Sequence, residues 1–235
     1  DLTKSYIIND DYLNVLKNLP DDSVDFILTD PPFGMTSSEW DKFIDFNLMW
    51  EEFKRVLKPD GVAAIFASSH FTFLLHASNP KMFRYRWYWV KNRASNFINA
   101  KNCPMRKLEE ICMFSLGTTA NGSKRKMTYF PQGLIKTEQK ATTTLSGRYI
   151  GKRPSHKAEY TRELTGYPDD ILYFDKEANH YHVSRKPVKL LEYLIKTYTQ
   201  PGQVVLDPFA GSFSTYEAAK NTNRVCIAIE KEKKF

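Results

Sequence analysis

The chain has 235 residues, which is the size of one large domain or of one domain with an insertion, and its 42% apolar and 14% aromatic content is enough for a large core. Its three cysteines are odd in number and lack CxxC spacing, which argues against disulfides and a zinc site and favours a reducing cytoplasm. We find no secretory signal and no apolar run near the roughly 20 residues of a membrane helix. The formal charge of +7 permits a polyanionic partner but does not prove one.

The first half of the chain alternates predicted strands and helices. Helical spacing of leucines predicts a helix over 13–19, and a second helix over 48–57 is expected to end at Lys58-Pro59-Asp60-Gly61. Residues 35–45 lack a clear period and predict a loop over the end of a sheet. Continuous apolar runs predict strands at 6–8, 26–28, 62–66, 85–90 and 111–114. A strand, a helix and a strand at this spacing indicate a βαβ unit and a parallel sheet.

Between residues 117 and 168 the apolar periodicity disappears. This segment holds ten Lys or Arg against three Glu, a balance of +7. It is either a solvated insertion or a surface for nucleic acid, and five interleaved aromatic residues (129, 130, 149, 160 and 167) favour the second. Regular patterns then return as strands at 171–174, 204–206 and 224–229 and helices at 188–198 and 213–220.

Carboxylates follow several of the predicted strands. Asp30, Asp207 and Glu230 occupy this place, and Asp10 and Asp11 follow the first strand. A single carboxylate there could merely cap the next helix. Ligands bind outside the carboxyl ends of parallel strands, which together form one rim of the sheet. Several carboxylates on this rim therefore predict a ligand-binding site.

The segment Asp30-Pro31-Pro32-Phe33 combines hydrogen-bond acceptors with a flat ring. Each proline lacks a backbone N–H but keeps its carbonyl, so the corner mostly accepts hydrogen bonds. This suits an amino group on a planar ring, although the same residues could form a plain turn.

A second Asp-Pro corner follows the strand at 204–206. Phe209-Ala210-Gly211-Ser212 predicts a tight turn before a helix, where Gly211 lets a ligand approach and free N–H groups attract a carboxylate or phosphate. Glu230 ends the next strand, where an acid accepts bonds from ribose hydroxyls. The absence of a full G-x-G-x-x-G or Walker sequence makes nicotinamide and nucleoside triphosphate poor candidates.

Together these motifs resemble the β class of DNA amino-methyltransferases, which use S-adenosylmethionine. Asp30-Pro31-Pro32-Phe33 is similar to their catalytic D/N/S-P-P-Y/F/W motif, and the segment 207–212 is similar to their D-P-F-x-G-S cofactor loop. Residues 182–187 resemble their H-P-T-Q-K-P segment, with Val183 and Arg185 as departures. The resemblance covers nearly all of the chain except about 117–168. Phe213 stands where the family usually has a second glycine, which predicts a narrower methionine end of the pocket.

The resemblance implies an α/β, Rossmann-like methyltransferase fold with a mostly parallel sheet. Its expected parts are a catalytic half (1–116), an inserted target-recognition region (117–168) and a cofactor-binding half (169–235). The implied reaction moves a methyl group from S-adenosylmethionine to N6 of an extruded adenine in double-stranded DNA, by direct in-line displacement. Alternatives are cytosine-N4 methylation, methylation of protein glutamine or RNA, and a catalytically weakened DNA-binding relative.

The resemblance also implies roles for particular residues, without a metal. The expected catalytic residues are Asp30, Pro31, Pro32 and Phe33. The expected cofactor-binding residues are Asp11, Asp30, Lys186, Asp207, Phe209, Gly211, Ser212 and Glu230. Arg148, Lys152 and Arg153 are the expected DNA contacts. We further expect a cytoplasmic, bacterial or phage-encoded protein, with the homodimer typical of this class.

Overall fold

A computed structural model describes residues 2–34, 43–142, 159–176 and 185–232, which contain ten strands and five α-helices. The strands are β1 Tyr6–Asn9, β2 Val24–Thr29, β3 Leu57–Ala67, β4 Phe83–Ser95, β5 Arg106–Ser115, β6 Ile135–Thr142, β7 Glu159–Thr165, β8 Ile171–Tyr173, β9 Val204–Asp207 and β10 Val225–Glu230. The helices are α1 Tyr12–Leu16, α2 Phe46–Val56, α3 Ser69–Ser78, α4 Val188–Tyr198 and α5 Ser214–Asn221, and a short 3-10 helix spans Phe97–Asn99.

Eight of the described strands form one sheet in the order β1-β10-β9-β2-β3-β5-β4-β8. The first five run parallel, whereas β5 is antiparallel to both β3 and β4. β4 therefore points the same way as β3, and β8 runs parallel to β4. The predicted parallel sheet and its βαβ unit, β2–α2–β3, are confirmed.

The central strand β2 is buried on both faces, as expected for a parallel sheet covered by helices. Phe26 and Leu28 point into a core that includes Leu190 and Leu194 of α4. Ile27 points into a second core, which includes residues of α1, α2 and α3. This alternation explains why β2 is a continuous apolar run in the sequence.

The predicted end of the second helix at Lys58-Pro59-Asp60-Gly61 is confirmed to within a residue, because helix α2 ends at Val56. The four residues do not form a separate turn, since β3 begins at Leu57 and includes them. Leu57 pairs with Val24, and the next pair is Val62 with Phe26, so the four residues form a bulge in the ladder. Gly61 suits this bulge, because a Cβ there would lie 2.9 Å from Leu57 and 3.0 Å from a backbone oxygen.

Helices α1 and α3 show where local pattern was insufficient. Helix α1 ends at Leu16, earlier than predicted, and the Asn18 side chain bonds to the Asn14 carbonyl in the turn before Pro20. Helix α3 was not predicted. Its N-cap Ser68 is a residue type favoured at this position, but it forms no side-chain bond to the helix, and Ser69 has φ +53°.

A second compact unit spans Pro131–Asp169 and contains the antiparallel pair β6–β7. Residues 117–130 belong to the first unit. Met127 is buried there, and the Phe130 N–H donates to the Thr197 carbonyl. The expected DNA contacts Arg148, Lys152 and Arg153 lie outside the described residues. In the described part of the chain, every helix is too short or too polar to cross a bilayer.

Candidate active site

A cleft of about 660 Å³ opens at the carboxyl ends of the parallel strands. Its walls include every catalytic and cofactor-binding residue expected from the sequence: Asp11, Asp30, Pro31, Pro32, Phe33, Lys186, Asp207, Phe209, Gly211, Ser212 and Glu230. They meet because β2 and β9 are neighbours in the sheet and β10 lies beside β9. The sheet order therefore joins two corners that lie far apart in the sequence.

A chain of alternating charges holds the Asp30 carboxylate. Lys186 Nζ donates to Asp30 Oδ2 at 2.6 Å and lies 3.2 Å from Glu109 Oε2. Lys91 Nζ donates to the other Glu109 oxygen at 3.1 Å and to Ser95 Oγ at 3.1 Å. Lys186 Nζ also lies 4.9 Å from the centre of the Phe66 ring. Two lysines and two carboxylates thus form one network, with Lys186 between the two acids.

Burial and charge act in opposite directions on this network. Burial lowers the pKa of Lys186, but Asp30 and Glu109 outweigh it and leave that pKa raised. Burial raises the pKa of Glu109, but Lys186 and Lys91 outweigh it and leave that pKa lowered. Lys186 and Glu109 therefore both stay charged at neutral pH.

The buried Asp207 carboxylate stabilises the Asp-Pro corner that follows β9 through hydrogen bonds. Its Oδ1 accepts bonds from Thr29 Oγ1 at 2.7 Å and from the Phe209 N–H at 3.2 Å. Burial raises the pKa of Asp207 to about 6, although hydrogen bonds from Thr215, Thr29 and Phe209 oppose the shift. The carboxylate is 3% exposed, so it shapes the turn more than it presents charge to the cleft.

Glu230 ties the turn to the end of β10. Its Oε2 accepts from the Gly211 N–H at 2.7 Å, and its Oε1 accepts from the Glu232 N–H at 2.8 Å. The expectation of free N–H groups on this turn is therefore wrong at Gly211. Gly211 has φ +46°, and no atom lies within 4 Å of where its Cβ would be, so the backbone is open to a ligand here.

Phe213 does not narrow the cleft, contrary to expectation. It is half-buried and packs against the core under α4 and α5. It adopts φ +57°, in the left-handed region that favours glycine. Arg185, the other departure within the described residues, lines the cleft and donates to Glu217 of α5. Val183 lies outside the described residues.

Three aromatic residues of the cleft wall take part in ring contacts. The Phe33 ring stacks on Phe71 with centroids 4.4 Å apart and planes 22° apart. Tyr12 contacts Phe209 with centroids 4.7 Å apart. Beside Tyr12, Asp11 caps α1 by accepting from the Leu13 N–H at 3.0 Å and receives a bond from Lys231 at 3.1 Å.

Sequence reasoning gave no role to several residues that complete the site. These residues are Thr29, Lys91, Glu109 and Thr215, which all line the cleft. Lys91 and Glu109 lie on the neighbouring strands β4 and β5, where Trp89 pairs with Glu109. The sequence signal for them was weak, because the same two strands also carry Arg84, Arg86, Arg106 and Glu110.

Comparison with known proteins points to one family. A model described as "DNA methylase", for the N6 and N4 methyltransferases, matches residues 24–235. Type II methyltransferase M.HpaI of Haemophilus parainfluenzae is 27% identical over 233 residues, which cover 95% of this chain and 69% of that protein. Two further Type II methyltransferases are covered over 65% and 66% of their lengths. DNA adenine methyltransferase YhdJ of Escherichia coli is 29% identical over 95% of this chain and 77% of its own.

Solved structures share the fold. PvuII DNA methyltransferase, described as cytosine-N4-specific, superposes with a TM-score of 0.70 at 18% identity, over 97% of this chain and 82% of that chain. A complex of M1.HpyAVI with S-adenosylmethionine gives a TM-score of 0.62 at 24% identity, over 97% and 94% of the two chains. The predicted fold class, family and cofactor are confirmed. The chain belongs to the N6/N4 DNA methylase family, whose members depend on S-adenosylmethionine.

Proposed function

We propose that this chain transfers a methyl group from S-adenosylmethionine to the N6 amino group of adenine in double-stranded DNA. The observation that carries the proposal is the Asp30 carboxylate, held by Lys186 beside the Phe33 ring. It lies in the same cleft as the corner formed by Gly211 and Glu230. A nitrogen and a methyl donor bound in this one cleft would be in reach of each other.

The amino nitrogen of a base is a poor nucleophile, because its lone pair is delocalised into the ring. The Asp30 carboxylate and the Pro31 carbonyl would accept its two N–H bonds and draw it toward tetrahedral geometry. S-adenosylmethionine supplies an electrophilic methyl group on a sulfonium. Lys186 fixes the direction of Asp30 through Oδ2, so the carboxylate is oriented before the base arrives. After transfer, Asp30 is the acceptor placed to take the proton that the nitrogen must lose.

The target base must leave the duplex to reach Asp30, because a stacked base cannot reach the cleft. Phe33 would receive it. One side of the Phe33 ring packs on Phe71, so the base would stack on the other side. The Phe33 ring could stack on any base. The acceptors at Asp30 and Pro31 would select a base with an exocyclic amino group.

The residues of the second corner fit S-adenosylmethionine. The open backbone at Gly211 gives room for a ligand to approach. We assign Glu230 to the ribose hydroxyls, Asp11 to the adenine end, and Phe209 and Ser212 to the methionine end. Asp207 would act by holding the turn, since its oxygen already accepts from Thr29 and the Phe209 N–H.

The choice of adenine rests on Asp30 at the head of the Pro-Pro motif and on the similarity to YhdJ, which is described as an adenine methyltransferase. The cytosine-N4 alternative is favoured by the description of the PvuII structure. DNA contacts by Arg148, Lys152 and Arg153, the role of 117–168 in target recognition, the cytoplasmic location and the homodimer stay predictions.

The test is incubation with labelled S-adenosylmethionine and DNA of mixed sequence, followed by digestion and identification of the modified nucleoside. We expect N6-methyladenine, whereas N4-methylcytosine would support the alternative. Asp30→Ala should abolish transfer and keep S-adenosylmethionine binding in calorimetry. Asp21→Ala is a matched control, because Asp21 is an exposed carboxylate that precedes β2 at the opposite end of the strand. Transfer by Asp30→Ala would refute the mechanism, and a wild-type chain that fails to bind S-adenosylmethionine would indicate a weakened relative.

A further inference from the structure

The loop that joins β4 to β5, residues 96–105, presents two large apolar side chains to solvent. Phe97 is 80% exposed and Ile98 is 89% exposed, both on the short 3-10 helix of this loop. They are the two most exposed of the large apolar side chains in the described part of the chain, ahead of Tyr173 at 75%. Adjacent exposed apolar side chains at a loop tip indicate a surface that contacts a partner.

This loop lies at the rim of the cleft. β4 runs in the same direction as β3, so its carboxyl end reaches the rim where Asp30 lies. Ser95, the last residue of β4, lines the cleft and accepts a bond from Lys91. The loop begins at the next residue, so Phe97 and Ile98 lie beside the mouth of the cleft.

The loop holds its own shape. Asn96 has φ +72° and accepts a bond from the Asn99 side chain at 2.9 Å. The N–H groups of Asn102 and Cys103 donate to the Asn99 carbonyl at 2.9 and 3.0 Å. These bonds order the turn before any partner binds, which reduces the entropy lost on binding.

The surroundings of the loop are positively charged. Residues 92–108 include no Asp or Glu. They include four exposed cations: Arg93, Lys101, Arg106 and Lys107. Apolar side chains ringed by cations fit a duplex, since cations hold phosphates while Phe and Ile are side chains that insert between base steps. A second copy of this chain, which is itself positively charged, is a poorer match for this surface.

We propose that the tip of the β4–β5 loop is a DNA wedge, in which Phe97 and Ile98 enter the gap left when the target base leaves the stack. The inference rests on the proposed function, because a gap forms only if a base is extruded. It gives the loop a role separate from the cleft: Asp30 and Phe33 receive the base, while Phe97 and Ile98 keep the duplex from closing behind it. The cations of the loop hold the flanking phosphates.

The test measures DNA binding without methyl transfer. Fluorescence anisotropy compares a short labelled duplex with the same duplex carrying one central abasic site, where the gap already exists. We expect wild-type protein to bind the abasic duplex about tenfold more tightly, from stacking of one aromatic side chain. Phe97→Ala/Ile98→Ala should lose this preference, and Phe97→Tyr, which keeps the ring, should retain it. Ile7→Ala is the matched control, because Ile7 is an exposed apolar residue on the far edge strand β1.

Several outcomes would overturn the wedge. They are equal wild-type affinity for the two duplexes, an unchanged preference in the double variant, or equal weakening of both duplexes by it. A changed oligomeric state of the double variant in light scattering, with its DNA preference intact, would assign the tip to a second copy instead. None of these measurements, of DNA affinity or of oligomeric state, depends on methyl transfer. A chain that never methylates DNA would refute the proposed function, while a preference lost in the double variant would still place the tip in a DNA gap.

Discussion

Replacing Lys186 with methionine should shift the acid limb of the pH–activity profile to higher pH. Lys186 is the cation between Asp30 and Glu109, and its ammonium contacts a carboxylate oxygen of each. Methionine keeps much of the side-chain volume and removes the charge. The two carboxylates then lie close together without a cation between them, so protonation of the pair becomes favourable at higher pH.

The size of the shift follows from the distances. Nζ lies 2.6 Å from Asp30 Oδ2 and 3.2 Å from Glu109 Oε2. A unit charge about 3 Å away attracts each carboxylate by roughly 5 kcal/mol at an effective dielectric constant of about 20, or about four pH units, and the variant loses this attraction. Lys91 remains 3.1 Å from Glu109 and offsets part of the loss. We therefore expect the acid limb to rise by at least about two pH units.

The assay is kcat/KM for methyl transfer to DNA across the pH range, since this ratio reports groups of the free enzyme. Lys186→Arg keeps the cation and should leave the acid limb near its wild-type position. Lys189→Met is the matched control, because Lys189 lies three residues away and its side chain is 76% exposed. S-adenosylmethionine binding by calorimetry at each pH separates loss of cofactor from loss of the reactive charge state.

One result would refute this reasoning. If Lys186→Met lowers the rate by the same factor at every pH, with the acid limb in place, Lys186 does not control the charge of the carboxylate pair. Its role would then be geometric.

Three further predictions concern stability and DNA binding. Burial raises the pKa of Asp207 from 3.8 to about 6 in the folded chain. The folded chain therefore binds this proton more tightly than the unfolded chain, which adds about 3 kcal/mol to the free energy of unfolding below about pH 4. This contribution is lost as the pH rises to about 6. The free energy of unfolding of Asp207→Asn, measured with denaturant from about pH 4 to 7, should not show this decline with pH. A pH dependence parallel to that of the wild type would contradict the prediction. The buried Asp25 carboxylate accepts bonds from three donors at 2.6 to 2.9 Å. Because Asp25→Ala leaves the buried Val204 N–H without its acceptor, it should lower the free energy of unfolding by about 2–3 kcal/mol. Asp21→Ala, which removes an exposed ion pair, should cost less than about 1 kcal/mol, and equal losses would be the contrary result. Neutralising Lys101 and Arg106 together should reduce the slope of log affinity for DNA against log salt by about two, and an unchanged slope would remove these cations from the DNA interface.

Much of the fold could be predicted from local pattern. β2, β9, β10 and α4 follow the expected positions closely, because buried strands and amphipathic helices need continuous or periodic apolar residues. The bulge in β3 could not be predicted, because Pro59 and Gly61 signal an interruption without saying whether the chain turns or bulges. Helix α3 was missed although Ser68 is a favoured N-cap residue, because its apolar residues do not form a single helical stripe: Phe71 and Leu75 are buried, whereas Phe73 is 70% exposed.

The sequence by itself determined that three carboxylates reach the cleft. A carboxylate at the end of a parallel strand must lie at the rim, so the strand pattern alone places Asp30, Asp207 and Glu230 there. The tertiary structure decided what each one does there. Lys186 is 156 residues from Asp30, and no local pattern reveals which acids share one lysine, that Glu230 uses the Gly211 N–H, or that Phe213 turns toward the core. Such pairings are set by the order of strands in the sheet and by the packing of helices on it, which bring distant segments within hydrogen-bonding distance.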